Sequence, residues 1–594
     1  MKTSPRIHSF IQGVVLSAAL TLAAQASGLE MAIDAAKAGA STILNLKPTF
    51  PELEIDPKDP FEALTEMAHS PTVNLPGMGG DGIPFSLRDA IAFSIDNQIS
   101  IQLSALTIES QKGSLQAAAS PFDYYVTSAF SYKDQNHLLN SPKAKTNKRG
   151  SVTAANAGVT KLTRPGTAFN LTSDVNKAFS PLNDDPKTVN NGNITFSIDQ
   201  PLLKGFLNSS PYMQEQAAKY SLFAAYYDDF QTMSQSILDT TNAYWAAVAA
   251  QNILEIQEVA SRRSVDLADR VNQLIKNDEL ARSSFYQIQQ QESTQKLALI
   301  GAADSLYNAV QDLRLTMGDV SVESMCDIMF DLTDDFAIQE LNICEFQKQF
   351  KQYFEFALKY SFDIQSSTLK QTVAAYNLKG ADNDCLPVLN FKGEINDTNF
   401  TVKYAKELLS PLWMVRPQEN WTLSARLEFP IYNDGAIGAY RQQKAAYSQA
   451  MLNTQLLQEQ KLQDLRKTLS QQIILALRLK EANQNVEISK TVYDNSLLQF
   501  NAGISTLFDL LSYEGSLTSA LVDRTGIKQS YMQNIARIRF LTASTFLQGD
   551  DLSCIEILDM TTLPEFDLPD SDRPKMSPRM EKFLQRRDKV WKKR

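Results

Sequence analysis

One long pattern of elements occurs twice in this sequence. An amphipathic helix, alternating strands, a very long helix, a short break and a second long helix run from about 86 to 317, and again from about 346 to 547. The break reads LIKNDELARSSF at 274–285 in the first copy and FNAGISTLFDLL at 500–511 in the second. Each copy is far longer than the unit of a solenoid, so the pattern predicts two structural halves rather than an array.

The segments that flank the repeat differ from it in composition. Two basic residues precede an apolar run at 14–24, and Ala24-Gln25-Ala26 fits a signal-peptidase site, so 1–26 is predicted to be a secretory signal. We expect a Pro- and Gly-rich N-terminal extension at 27–85, the first repeat at 86–318, an acidic Cys-containing linker at 319–346, the second repeat at 347–548 and a C-terminal extension with a basic tail at 549–594. The mature chain is therefore expected to be exported.

Composition and missing motifs exclude several function classes. After residue 26 there is no run of about eighteen apolar residues, which excludes an inner-membrane transporter but not an outer-membrane barrel of short alternating strands. The net charge of −10 argues against nucleic-acid binding, and three histidines leave little for a metal site. The sequence has no phosphate-binding loop, zinc-protease motif or nucleophile elbow, so neither enzyme activity nor a cofactor is predicted.

Four segments alternate apolar and polar residues as strands do. They lie around 122–132, 193–199, 389–395 and 421–429. In the last of them Trp421, Leu423 and Leu427 share one face, and Thr422 and Arg426 share the other. This alternation fits any sheet with one wet face, including a membrane barrel. Four strands cannot close a barrel, because the smallest single-chain membrane barrels use eight, so closure requires several copies, and three copies would supply twelve strands.

The helices between these strands are too long for a globular domain. From about 212 to 274 there is no Pro or Gly, and at 1.5 Å per residue such a helix is roughly 90 Å long. Its partner is expected at 281–317, and the second copy repeats the pair at 440–500 and 506–546. Their apolar stripes are diluted with Ala, Ser, Gln and Asn, which suits a hollow cylinder with a wet lumen. An exported coiled-coil scaffold or adhesin stalk without channel activity is the alternative, and it leaves the strands unexplained.

Four motifs occur in order along the two halves. They are SLRDAIAFSIDN at 86–97, DQPLLKG at 199–205, EFPIYNDG at 428–435 and, above all, FNAGISTLFDLL at 500–511. Together they resemble the TolC-like outer-membrane channel-tunnels, the outer membrane efflux protein family, over about 86–548. The resemblance implies a mixed α/β membrane protein with an internal two-fold repeat. It combines a long α-helical coiled-coil barrel with four β-strands per chain, which contribute to a 12-stranded trimeric outer-membrane β-barrel.

The resemblance also implies a function, a location and partners. Such a chain is expected to be the outer-membrane exit duct of a tripartite efflux or type I secretion system. It would be a passive homotrimer in outer-membrane lipid that extends into the periplasm. It would open when an inner-membrane pump and a periplasmic adaptor, also called a membrane fusion protein, dock. Cargo in this family ranges from small toxic molecules to secreted polypeptides.

The same resemblance assigns roles to residues at the breaks and at the strand exits. At the periplasmic aperture it places Asp509, Phe500, Ser505, Ser512, Asp278 and Glu279, with tip turns at Gly503 and Asn277 and barrel-to-helix turns at Pro201, Gly205, Pro430 and Gly435. Ser505 and Ser512 stand where an arginine and a second acid are often found. Asn277 replaces a glycine, and asparagine tolerates a positive φ better than most residues.

Two of these assignments have alternatives. Asp509 either lines the aperture or serves only as a carboxylate at a helix start, where it complements the helix dipole. Cys326 and Cys344 flank the acidic linker of an exported chain, so a disulfide between them is expected, with free thiols as the alternative.

Overall fold

Long helices and one wide sheet make up the described part of the chain. The structure is a computed structural model that describes residues 83–141, 144–180, 187–277, 280–319, 330–336, 338, 341–401, 419–548 and 555–564. Its elements in chain order are β1 (Ile83–Phe85), α1 (Leu87–Asn97), α2 (Ile99–Ala119), β2 (Tyr124–Ser141), β3 (Ala144–Leu162), β4 (Ala168–Ser180), β5 (Lys187–Pro201), α3 (Ser210–Lys276), α4 (Ser283–Met317), β6 (Phe330–Leu332), α5 (Ile343–Tyr360), α6 (Phe362–Asp384), β7 (Val388–Thr401), β8 (Glu419–Glu428), α7 (Asp434–Asn501), α8 (Leu507–Leu541), β9 (Phe546–Gln548) and β10 (Ile555–Ile557). The predicted signal, most of the N-terminal extension and the basic tail lie outside the described residues.

The four longest helices lie within six residues of their predicted bounds. α3 and α7 have 67 and 68 residues, and α4 and α8 have 35 each. At 1.5 Å per residue α3 and α7 are about 100 Å long. A glycine ends α4, because Gly318 adopts a φ of +79° as its C-cap.

The helices pack side by side in two tiers. In the tier next to the sheet the contacts run from α2 to α3, then to α6, then to α7. In the other tier they run from α4 to α3, then to α8, then to α7. Helices α3 and α7 therefore pass through both tiers, and each tier is a layer four helices wide. At the level where the tiers meet, the core includes the fully buried Tyr244 and Trp245 of α3.

The described residues form six strands in the main sheet, so the prediction of four strands per chain is wrong. The strand order is β2-β3-β4-β5-β7-β8, and every neighbouring pair is antiparallel. Strands β2, β5, β7 and β8 contain the four predicted segments. The sequence prediction missed β3 and β4. β3 carries Ala154, Ala155, Ala157 and Gly158 where the other strands have aromatic and branched residues, and these small residues are poor strand formers.

The register divides the sheet into one apolar and one polar face. On the apolar face Phe130 is paired with Ala155, which is paired with Val175, and Phe196 is paired with Ile395, which is paired with Trp421. On the polar face Thr172 is paired with Thr195, which is paired with Asn396. The apolar and polar residues therefore alternate across all six strands as they do in a membrane wall. None of the helices in the described part of the chain has the length and hydrophobicity needed to cross a bilayer.

Candidate functional site

The two helical breaks lie at the same end of the helical layer. An apolar cluster joins all four helices there; its buried members are Leu267, Ala268, Val271, Ile288, Phe500, Leu507 and Leu510. Phe500 therefore packs inside this tip cluster, where it holds α7 against the neighbouring helices. Burial of its ring stabilises the tip by about 1.5–3 kcal/mol relative to an exposed ring.

The break between α7 and α8 is a glycine turn followed by a capped helix. Gly503 adopts a φ of +72°, and its N–H donates to the carbonyl oxygen of Phe500 at 3.0 Å. Thr506 is the N-cap of α8. Its hydroxyl accepts a hydrogen bond from the Asp509 backbone N–H at 3.2 Å and donates to the Asp509 carboxylate at 2.6 Å. The Thr506-x-x-Asp509 spacing thus forms a helix start, which is the second interpretation of Asp509.

The break between α3 and α4 has a different backbone. Asn277 is the C-cap of α3 with φ −85° and ψ 5°, so the expectation that it supplies a left-handed turn is wrong. Its backbone N–H continues the helical pattern by donating to the Gln273 carbonyl oxygen at 3.1 Å, which the right-handed conformation allows. Asp278 and Glu279 lie outside the described residues, and their place at the aperture stays a prediction. Helix α4 begins at Ser283.

The surface of the second break is both polar and apolar. Ser505 is half-buried and Ser512 is exposed, with its carbonyl oxygen accepting a hydrogen bond from the Ser516 hydroxyl at 2.9 Å. Ile504 in the turn and Phe508 in the first turn of α8 are 77% and 73% exposed. Because large apolar groups in water mark interaction surfaces when they cluster, this turn is suited to contact with another protein.

A buried carboxylate above the tip was not predicted. Glu514 of α8 is only 1% exposed, and the Arg263 Nε on α3 lies 3.8 Å from its Oε1. Among the described residues neither carboxylate oxygen has a hydrogen-bond partner. Burial raises the pKa of Glu514, and Arg263 opposes that rise. The sequence does carry a signal, since Glu514 interrupts an apolar stripe formed by Leu507, Leu510 and Leu517.

The first strand exit joins the sheet to α3 through a glycine. After Pro201 the Leu202 N–H donates to the Leu389 carbonyl oxygen at 2.8 Å. Gly205 adopts a φ of +91°, and its N–H donates to the Oδ1 of the buried Asn383 at 2.8 Å. Pro201 and Gly205 therefore lie at the predicted turn, which is tied to the end of α6.

The turn between β3 and β4 packs directly on this exit; we call residues 163–167 the hairpin turn. Its Arg164 makes a two-pronged ion pair with Glu215 of α3, with Nη2–Oε1 at 2.6 Å and Nε–Oε2 at 2.8 Å. The Pro165 carbonyl oxygen accepts a hydrogen bond from the Leu207 N–H at 3.2 Å. Gly166 has a φ of +100°, and a Cβ atom built on it would lie 2.0 Å from the Gly205 carbonyl oxygen. Only glycine fits this contact.

The second strand exit turns at an asparagine instead of a glycine. Asn433 adopts a φ of +44°, and its side-chain amide donates to the Cys385 carbonyl oxygen at 3.0 Å. Pro430 is exposed and lies between β8 and this turn. Gly435 lies inside the first turn of α7 with no positive φ, so the prediction that it makes the barrel-to-helix turn is wrong. Asparagine can occupy the left-handed region itself, which frees the following glycine to be helical.

The cysteines and acids of the described residues form neither a bridge nor a metal cluster. Cys344 is exposed near the start of α5, and Cys326 lies outside the described residues, so their pairing stays a prediction. Within the same described ranges no group of three or more His, Cys, Asp or Glu side chains is arranged to hold a metal ion.

Comparisons with known proteins agree with this architecture. Residues 355–544 match the family model described as outer membrane efflux protein. The Campylobacter jejuni CmeC outer membrane channel is 15% identical, with 79% of this chain and 87% of that chain covered and a TM-score of 0.56. The outer membrane protein VceC from Vibrio cholerae is 13% identical, with 77% and 96% covered and a TM-score of 0.56. No curated protein matches the sequence.

A third solved structure has the same fold. The open state of the Neisseria gonorrhoeae MtrE outer membrane channel is 13% identical, with 77% of this chain and 88% of that chain covered and a TM-score of 0.52. The resemblance predicted from the motifs is confirmed. Residues 355–544 thus match the outer membrane efflux protein family, and the chain has the fold of these outer-membrane channels.

Proposed function

We propose that this chain is the outer-membrane exit duct of a tripartite efflux or type I secretion system. It acts as a passive homotrimeric channel-tunnel, and it carries out no chemical reaction of its own. The observation that carries this proposal is an open wall: an amphipathic sheet continues into a layer four helices wide, and within the described residues neither the sheet nor the helical layer closes on itself. Such a wall encloses a lumen only when copies of the chain join edge to edge.

The edges of the wall expose the surface that a second copy would cover. In the sheet, Tyr124 and Trp421 on the edge strands are 71% and 80% exposed, whereas Phe196 and Phe391 on inner strands are 39% and 41% exposed. In the helical layer, exposed apolar residues follow the outermost helices α4 and α7, as with Leu297 and Leu452. Lateral association buries both sets, and an open strand edge in lipid is costly because its backbone groups lack partners.

The tip is the proposed contact for a periplasmic adaptor, which in turn links the duct to an inner-membrane pump. Ile504 and Phe508 project from the α7–α8 break at the end of the helical layer farthest from the sheet. A partner that covers these two side chains gains apolar burial, and it can separate the packed helix ends as it binds. Docking would therefore open the aperture without any energy source in this chain.

The assembly state tests the proposal. The mature protein is expected to fractionate with outer membranes, to run in detergent as a trimer, and to carry ion current in a planar bilayer. A structural stalk, the competing class, would carry no current at all. A monodisperse monomer that is fully folded in detergent would contradict the proposal, because one chain leaves two strand edges unpaired.

Asp509 is proposed to line the closed aperture as well as to start α8. Three carboxylates about 7 Å apart repel by roughly 2–3 kcal/mol per pair at an effective dielectric of about 20, and a bound cation relieves that repulsion. Asp509→Asn keeps the shape and removes the charge, so cation selectivity and block by multivalent cations from the periplasmic side should both weaken in single-channel recordings.

The neighbouring Thr506→Ala variant is the matched control for Asp509→Asn. It removes the cap hydrogen bonds but keeps the carboxylate, so it should cost about 1 kcal/mol of stability while selectivity remains. If Asp509→Asn also leaves selectivity and block unchanged, the carboxylate is only a helix-start residue that faces away from the lumen.

A further inference from the structure

We propose that the barrel of the assembled duct has eighteen strands, six from each of three chains, and that its pore is wide enough for two helices side by side. This inference rests on the proposed function, which supplies the assumption that three chains form the duct. The observation behind it is the β3–β4 hairpin, which lies in the middle of the sheet rather than at an edge. β3 pairs with β2 from Tyr124↔Lys161 to Ser141↔Ala144, and β4 pairs with β5 from Ala168↔Asp199 to Ser180↔Lys187.

The hairpin has the amphipathic pattern of the strands around it. Val159, Leu171 and Val175 continue the apolar face that contains Phe196. On the opposite face Asn170 donates to the Asp199 carboxylate at 3.3 Å, so the hairpin is joined to β5 by polar contacts on the lumen side. The β3–β4 strand pair is apolar on one face only and is hydrogen-bonded to a neighbouring strand on each side. It is therefore suited to be part of the barrel wall.

The hairpin is also built into the junction below the sheet. Its turn is joined to α3 by the Arg164–Glu215 ion pair, and Glu215 is almost fully buried. Gly166 contacts the strand exit at Gly205 so closely that no side chain fits. A loosely attached insertion would have neither contact. Removing the hairpin from the wall would break both contacts and leave β2 without a partner.

Closure by copies of the same chain follows from the strand directions. β2 runs away from the helices and β8 runs toward them, so β8 of one chain can pair antiparallel with β2 of the next. An even number of strands per chain preserves this antiparallel order around the ring. On both edge strands the residues of the apolar face are far more exposed than their counterparts on inner strands, as Phe130 at 70% illustrates. The strand that pairs with each edge strand therefore comes from a second copy of this chain.

The strand number sets the width of the pore. With strands about 4.8 Å apart and a tilt of about 40°, the backbone ring is about 36 Å across for eighteen strands and about 24 Å for twelve. Side chains that extend about 5 Å inward leave about 26 Å and about 14 Å. Because a helix with its side chains is about 10–12 Å wide, the wider pore passes two helices abreast and the narrower one passes a single helix.

Imaging of the full-length protein tests the strand number directly. Electron cryo-microscopy of the protein in lipid nanodiscs should show one ring of eighteen strands. A ring of twelve strands with β3 and β4 outside the wall would overturn the inference and leave the exit-duct function intact. A ring of eighteen strands that carries no ion current would instead contradict the exit-duct function alone.

A deletion variant tests the consequence for pore width. Removing residues 144–180 joins the upper end of β2 to the upper end of β5, so the strand directions are kept and a trimer would have twelve strands. A neutral polymer about 20 Å in diameter, added on the barrel side of a planar bilayer, should lower the current through the wild type and not through the deletion variant. Equal effects on both proteins would count against the wider pore.

Cysteine pairs supply a test that leaves the hairpin in place. Ser131→Cys on the polar face of β2 is combined in turn with Thr422→Cys, Ser424→Cys and Arg426→Cys on the polar face of β8. One of these pairs should link chains into covalent trimers on a non-reducing gel. Ser131→Cys with Leu423→Cys is the control, because side chains on opposite faces of a sheet cannot meet. If none of the three pairs forms a link, β2 and β8 are not neighbours.

Discussion

Replacing Gly166 by alanine is expected to remove most of the folded protein from the outer membrane. Gly166 has a φ of +100°, a conformation that alanine adopts only with strain, and the new Cβ would lie 2.0 Å from the Gly205 carbonyl oxygen and 3.0 Å from the Pro201 Cγ. Backbone strain and overpacking each cost about 1–3 kcal/mol, against a total stability of about 5–15 kcal/mol for a typical domain. The hairpin turn must therefore separate from the strand exit, and the sheet loses its connection to α3.

Two other glycines provide graded controls for Gly166→Ala. Gly205 shares the positive φ, at +91°, but its added Cβ would meet nothing closer than 3.6 Å, so Gly205→Ala should show strain without a clash. Gly393 on β7 has neither feature, and Gly393→Ala should behave as the wild type. The measurement is the amount of protease-resistant protein in outer membranes. Equal amounts for Gly166→Ala and Gly393→Ala would show that the hairpin turn and the strand exit do not touch.

The helices were predictable from the sequence because their signal is local and long. The absence of Pro and Gly between 212 and 274 and the apolar spacing of three and four place α3 within two residues of its observed bounds. The same logic locates the α7–α8 break, where Gly503 and Thr506 are adjacent stop and start signals. Such features depend on neighbours in the chain, so a single sequence is enough to find them.

The number of strands and the ion pair above the tip depend on contacts between residues that are far apart in the sequence. β4 alternates Phe169, Leu171 and Val175 with polar residues, a pattern that could have been recognised, whereas β3 is a strand only because β2 and β4 pair with it. Arg263 and Glu514 are 251 positions apart in the sequence and meet only when α3 packs on α8. Periodicity marks Glu514 as unusual, but it does not identify the partner.

Replacing Arg263 by alanine is expected to destabilise the helices next to the tip at neutral pH. Glu514 is 1% exposed and forms an ion pair with Arg263. The Arg263 guanidinium also lies 5.5 Å from the centre of the Tyr493 ring on α7. Removing one member of a buried ion pair typically costs about 3–5 kcal/mol, since the other charge is left without compensation. The Arg263→Ala protein should therefore unfold at a clearly lower temperature, measured by circular dichroism of the detergent-solubilised protein.

The pH dependence of this effect has a definite sign. Because burial raises the pKa of Glu514 in the folded protein, the protonated form is favoured by folding. The stability that the protonated Glu514 contributes is fully present below the ordinary glutamate pKa of about 4.3. It is lost as the pH rises through the raised pKa of Glu514 in the folded protein. The wild type should thus become less stable as the pH rises through that range. Arg263→Ala, which removes the opposing charge, should show a steeper loss.

Glu514→Gln separates the charge of this residue from its shape. The glutamine is neutral at every pH, so this variant should lack the loss of stability that the wild type shows above the ordinary glutamate pKa. Because the Arg263 side chain is 23% exposed and stays in contact with water, the variant should be at least as stable as the wild type at neutral pH. Combined with Arg263→Ala, it should recover most of the stability that the single arginine change removes. Asp523→Asn, which neutralises a carboxylate elsewhere on α8, is the matched control and should keep the wild-type slope. If Glu514→Gln and the wild type have the same slope, Glu514 is not buried in the assembled duct, and α3, α7 and α8 pack differently there.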